Sequence, residues 1–253
     1  VLGAFLIDYV SWHWGFVAIA LLALLSWVGL KKQMPSHKVS VTKQPFSYLF
    51  DDFKKVFSNR QFLGLTLALP LVGMPLMLWI ALSPIILVDE LKLTSVQYGL
   101  AQFPVFLGLI VGNIVLIKII DRLALGKTVL IGLPIMLTGT LILILGVVWQ
   151  AYLIPCLLIG MTLICFGEGI SFSVLYRFAL MSSEVSKGTV AAAVSMLLMT
   201  SFFAMIEFVR YLYTQFHLWA FVLSAFAFIA LWFTQPRLAL KREMQERVAQ
   251  DLH

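Results

Sequence analysis

Apolar residues run along this chain in seven long stretches, at 16–30, 62–88, 98–120, 128–149, 151–175, 190–212 and 219–234, with short polar breaks between them. Most of these stretches approach or exceed the roughly 20 residues a helix needs to cross a bilayer. Backbone N–H and C=O groups find no water in the hydrocarbon, so each stretch must close its hydrogen bonds within itself as a helix. The pattern predicts an all-α, polytopic membrane bundle of about seven transmembrane helices.

The longest break in hydrophobicity covers 31–60 and reads as a linker between two parts of a larger bundle. Within it Phe46, Leu49, Phe50, Phe53, Val56 and Phe57 recur at helical spacing, while Asp51, Asp52, Lys54 and Lys55 fall mostly on the other side. An amphipathic helix is expected there, lying on anionic lipid or packed on the protein's own end face; the pattern fits both. The implied organisation is 1–30 as the end of a preceding half, 31–60 as the linker, 61–235 as a six-helix bundle and 236–253 as a tail. Residues 8–14 form an expected interfacial loop rich in aromatics. The chain opens at Val1 inside an apolar run with no charged leader, which reads as a piece of a longer protein.

Composition agrees with this reading, since 61% of residues are hydrophobic and 12% charged. The net charge of +6 does not point to nucleic acid, because the basic residues are spread between apolar stretches and form no single patch. Of the 18 Lys and Arg residues, all but Lys92 and Arg210 fall in alternate loops or the tail. Positive loops stay on the cytoplasmic side, so linker and tail are expected to be cytoplasmic. Cys156 and Cys165 lie nine positions apart, on opposite faces of one helix, and imply no disulfide or metal site. His13, His37, His217 and His253 are scattered, which argues against an enzyme, a metal or a cofactor. A retinal protein would need a lysine within the final span, and 219–234 has none.

The candidate chemistry centres on 165–213, where two acids fall within apolar stretches: Glu168 between Gly167 and Gly169, and Glu207. A carboxylate at the middle of a membrane helix costs roughly 2.5 to 3.5 kcal/mol on insertion scales, so it needs a partner, a watery cavity or a proton. Carboxyls withdrawn from water hold their proton more tightly, which is the property a proton-coupled carrier uses. Glu168 lies near the expected midplane and Glu207 nearer one end. The competing structural readings are a bond from Glu168 to a neighbouring helix, with its glycines serving close packing or a bend, and neutralisation of Glu207 by Arg210 one turn on. Trp79, Gln102, Asn113 and Thr200 join the acids as candidates for substrate or proton coupling. Met74, Met77, Phe103, Phe106, Met196, Met199 and Phe203 could line an adaptable apolar cavity, or simply pack. Pro70, Pro75, Pro84 and Pro104 interrupt two spans and predict kinks. The turn at 182–189 carries Lys187 and Gly188, read as orienting the chain.

A six-span block after a charged linker, with Asp121, Arg122, Gly126 and Lys127 between its second and third spans, resembles the major facilitator superfamily, in which a Gly-x-x-x-Asp-Arg-x-Gly-Arg-Lys type loop recurs in each half. Ile117 stands where that loop has its first Gly, and one residue is added before Gly126. The segments 79–87, 98–113 with Gln102, Pro104, Gly112 and Asn113, 186–192, and Ile206 with Glu207 resemble the drug/proton antiporter branch. Val1 to Ala4 resembles the end of that branch's fifth-helix motif, so the seven spans would be the sixth to twelfth of twelve. The resemblance implies the C-terminal half of a major facilitator fold plus the preceding helix. It further implies a bacterial inner-membrane carrier exporting lipophilic or cationic compounds in exchange for protons by alternating access. Its partners would be the small-molecule substrate, protons, the bilayer and the missing N-terminal half. Asp121 and Arg122, with Lys187 and Gly188, would guide conformational change. Glu168 stands where relatives are expected to be uncharged, and the branch's main proton-coupling acids lie in the half that is absent. A carrier for another small solute, a channel or a membrane scaffold are the alternatives.

Overall fold

A computed structural model of the chain describes residues 13–33, 46–120, 125–183 and 185–234. All regular elements among them are helical, as the satisfaction of backbone groups in lipid demands. They are α1 (His13–Gln33), α2 (Phe46–Ser58), α3 (Arg60–Ser83), α4 (Ser95–Ile119), α5 (Leu125–Val148), α6 (Leu153–Met181), α7 (Lys187–Phe216) and α8 (Leu218–Thr234). Six helical segments are long and apolar enough to cross a membrane, and a shorter apolar helix, Leu218–Phe233, completes the seven expected from the sequence. The chain is an integral membrane protein.

Local signals set the helix starts. Asn59 accepts hydrogen bonds from the N–H groups of Gln61 and Phe62, and Thr94 and Gln97 form a reciprocal capping box at the start of α4. Ser186 accepts from the N–H of Thr189 and starts α7 just ahead of Lys187. The helices run past the apolar windows at several ends, α6 to Met181 and α7 to Phe216, because a hydrogen-bonded turn continues into polar residues where the apolar run stops.

Pro70 and Pro75 lie inside α3, and Pro104 inside α4, without ending either helix. At Pro84 the backbone widens into a π-helical stretch, Pro84–Glu90, closed by bonds from Leu91 N to Ile86 O and from Leu93 N to Leu87 O. The added turn carries the chain to Lys92, whose φ of +56° redirects it into α4.

α6 is the hub: it packs on α5, α4 and α3, while α3 also contacts α7 and α8. The core is correspondingly built on α3, with Leu69, Met74, Leu78, Trp79 and Leu82 closed off against Met161 and Ile164 of α6 and Phe221 of α8. The apolar window of α1 contains no buried residue.

The amphipathic helix is present as α2, and it sits on the protein's own end face. Val56 is fully buried, Phe53 and Phe57 stack, and the Phe57 ring meets Phe62 of α3 edge-on at 6.4 Å. Phe50, on the edge of the same apolar face, stays exposed. Residues 1–12, including most of the expected loop at 8–14, lie outside the described residues, as do most of the linker before α2 and the tail; His13 and Trp14 are already helical.

Candidate functional site

Two glycine seams determine where Glu168 points. A β-carbon on Gly167 would fall 2.6 Å from the carbonyl oxygen of Gly132 in α5, and one on Gly169 would fall 2.6 Å from the carbonyl oxygen of Leu109 in α4. The backbones of α5 and α4 therefore touch α6 on either side of Glu168, closer than any other residue would allow. At 100° per residue the Glu168 side chain projects between the two seams, on the stripe that carries Met161, Cys165 and Phe172. Phe172 packs towards Gly73 of α3, so that stripe looks into the bundle.

Glu168 lies midway along the 29-residue α6 and is 5% exposed. Its Oε2 has no hydrogen-bond partner. A buried polar oxygen with no partner is costly to a helix bundle. The close packing expected of Gly167 and Gly169 is present.

Around this acid the other predicted residues fall into two sets. Half-buried between α4 and α6, Asn113 sits against Gly169, donates from Nδ2 to Leu109 O at 2.9 Å and accepts from the exposed Ser173 Oγ at 3.0 Å. Towards the end of the bundle away from α2, Trp79 donates its indole N–H to Gln102 Oε1 at 2.7 Å. Gln102 Nε2 donates to Ser83 Oγ at 3.1 Å, and Ser83 lies 3.3 Å from the Tyr98 hydroxyl. Trp79 is fully buried against Phe221, and Met74 is fully buried too, so both serve here as core. Met77 is only half-buried.

The second set is a stripe on α7 facing outward. Met196, Met199, Thr200, Phe203 and Glu207 are all exposed and recur at helical spacing. Glu207 Oε1 lies 3.8 Å from Arg210 NH1, the one-turn pair read from the sequence, with both side chains more than half exposed. Phe103 and Phe106 are exposed on α4 instead. Lys187 and Gly188 are exposed in the first turn of α7. Asp121 and Arg122 lie outside the described residues.

An open apolar groove of about 460 Å³ between α7 and α8, lined by Phe208, Leu212, Trp219, Leu223 and Phe228 among others, contains none of the predicted residues. No cluster of three potential metal ligands occurs among the described residues. Sequence reasoning did not pick out Ser83, Tyr98 or Ser173, whose hydroxyls become useful only once two helices are side by side. It named Gly112 for the resemblance alone and passed over Gly108, although their four-residue spacing is a known sign of close helix contact.

The profile of the Major Facilitator Superfamily matches residues 1–206 of this helix bundle. The chain belongs to that family. Among curated proteins it is 34% identical over 212 residues to the multidrug transporter MdfA of Yersinia pestis (strain D106004), an alignment covering 83% of this chain and 52% of the relative. It is 36% identical over 209 residues to MdfA of Escherichia coli O157:H7, covering 82% and 51%, and 34% identical over 213 residues to the multidrug resistance protein MdtM of the same organism, covering 83% and 52%. The chain spans about half the length of these curated relatives.

Proposed function

We propose that this chain is the C-terminal portion of a proton-coupled carrier that exports lipophilic, cationic compounds across the inner membrane of a bacterium. In this reading α1 closes the N-terminal half, α2 belongs to the linker, and α3 to α8 form the second half of a twelve-helix protein working by alternating access. The relatives support the substrate class, since one is named a multidrug transporter and the other a multidrug resistance protein.

The observation that supports the carrier most directly is the contrast between two outward faces. Phe103, Phe106, Ile110, Ile114 and Ile117 make the exposed side of α4 apolar between Leu100 and Ile117, as lipid requires, with Gln97 and Lys118 exposed beyond its two ends. The exposed side of α7 instead carries Ser195, Thr200, Glu207 and Arg210 among its methionines and Phe203. Ionic groups at that depth are costly against hydrocarbon, so this side is read as facing the partner half across a hydrated path. Glu207 would attract a cation there, and Met196, Met199 and Phe203 would adapt to varied apolar bodies. Glu168, without a partner for Oε2, is the residue we assign to proton binding within this half. The basic residues at Lys31, Lys32, Lys54, Lys55 and Arg60 support a cytoplasmic linker, and Arg237, Lys241, Arg242 and Arg247 support a cytoplasmic tail.

The test is uptake of tetraphenylphosphonium into everted vesicles carrying the full-length protein under an imposed pH gradient. Uptake that dissipates with the gradient is expected; uptake indifferent to it would remove the proton coupling. The 253-residue chain alone is expected to be inactive, since alternating access requires both halves.

A further inference from the structure

At the end of the bundle away from α2, a single carboxylate ties α3 to the hairpin between α7 and α8. Glu90 Oε1 accepts a hydrogen bond from the Tyr213 hydroxyl at 2.8 Å and lies 3.8 Å from His217 Nδ1. The Tyr213 and His217 rings meet edge to face, with centroids 6.2 Å apart. These residues are joined across 123 positions of sequence.

Both sides of the contact are built by unusual backbone. The π-helical turn 84–90 carries Glu90 to the end of α3, where Lys92 at φ +56° reverses the chain. On the other side His217 adopts φ +47°, a region that residues with a β-carbon occupy at a cost. Its backbone is held at both ends, by His217 N to Tyr213 O at 2.9 Å and by Ala220 N to His217 O at 3.0 Å. The imidazole lies beside the carboxylate with its own side chain 74% exposed.

We propose that Glu90, Tyr213 and His217 form a proton-operated clasp that tightens the α3 end onto the α7–α8 hairpin when His217 is charged. The tyrosine bond persists in either state. Imidazoles change charge between about pH 5 and 8, and the protonated ring carries an N–H on both nitrogens. Nδ1–H then donates to Glu90 Oε1, completing a charge-assisted bond that the neutral ring makes weakly or not at all. The clasp closes when the imidazole gains its second proton and relaxes when it loses it.

Asp89 and Lys92 flank Glu90 at the end of α3, Arg210 is paired with Glu207 two turns back along α7, Tyr98 at the start of α4 lies against Ser83, and α8 carries no titratable residue. With the linker cytoplasmic, the clasp samples the pH of the opposite compartment. Only that direction rests on the proposed orientation.

The experiment is amide hydrogen exchange of the 253-residue chain in lipid nanodiscs at pH 5.5 and 8.0, after correction for the chemical exchange rate, which reads the clasp whether or not the chain transports anything. Exposed ion pairs are modest, so the Leu91, Leu93 and His217 amides are expected to exchange about twofold to fivefold more slowly at pH 5.5. His217→Gln and Glu90→Gln should each abolish that difference, and the second keeps an acceptor for Tyr213, which preserves the fold. Equal protection at the two pH values, looser ends at pH 5.5, or a difference surviving in either variant would overturn the proposal.

Discussion

Gly139 and Gly160 face each other backbone to backbone across α5 and α6. A β-carbon on the first would lie 2.6 Å from the carbonyl oxygen of the second, and one on the second 2.7 Å from the carbonyl oxygen of the first. The same hub helix that carries Glu168 is thus held by reciprocal close approach, which lipid cannot supply by hydrophobic force alone.

Gly139→Leu should therefore separate α5 from α6 and lower stability by about 1 to 3 kcal/mol, the usual cost of overpacking. Thermal unfolding of the purified chain in detergent measures it. Gly64→Ala is the control: nothing lies within 4 Å of a β-carbon there, so its midpoint should hold or rise slightly. Equal losses in both would mean that the seam is not what holds the helices.

Gln102→Leu leaves the fully buried Trp79 indole N–H without its acceptor, and should cost about 1 to 3 kcal/mol. Adding Trp79→Phe removes the stranded donor, so the double variant should be less unstable than the two single losses added together. Strict additivity in a double-mutant cycle would show the bond to be unimportant.

Glu168→Gln deletes a charge-bearing group whose Oε2 has no bond to lose. Stability is expected to stay within about 1 kcal/mol of the parent, while the pH profile of transport by the full-length protein flattens. An unchanged profile with a large drop in melting midpoint would make Glu168 a structural residue.

Thr200→Cys and Ser195→Cys on α7 should react with a membrane-impermeant thiol reagent in the full-length protein freed of Cys156 and Cys165. Ile110→Cys and Ile114→Cys on α4 should not, because lipid excludes the charged reagent. Reaction of all four, or of the α4 pair alone, would defeat the hydrated-path reading of α7.

Much of the fold was legible in the order of residues. The membrane helices announced themselves because each apolar run must close its own hydrogen bonds, and the Glu207 and Arg210 pair followed from one-turn spacing. The site was legible only in part. Gly167 and Gly169 signalled close packing, yet which helix each meets depends on neighbours 35 to 60 residues away in sequence. Trp79 offered itself as lining or as core, and the bond to Gln102 with the contact to Phe221 that encloses its indole depends on neighbouring helices. The amphipathic pattern of α2 fitted lipid and protein alike, and Phe62 decided between them.

The chain by itself determined which segments enter the membrane, because insertion sums over about 20 consecutive residues and needs no distant partner. Tertiary structure alone decided which side chains meet: that Glu168 falls between two backbone seams, that Asn113 finds Ser173, and that Glu90 reaches His217. Those contacts arise from helix rotation and register, quantities set by how whole surfaces interlock, and no local window of sequence contains them.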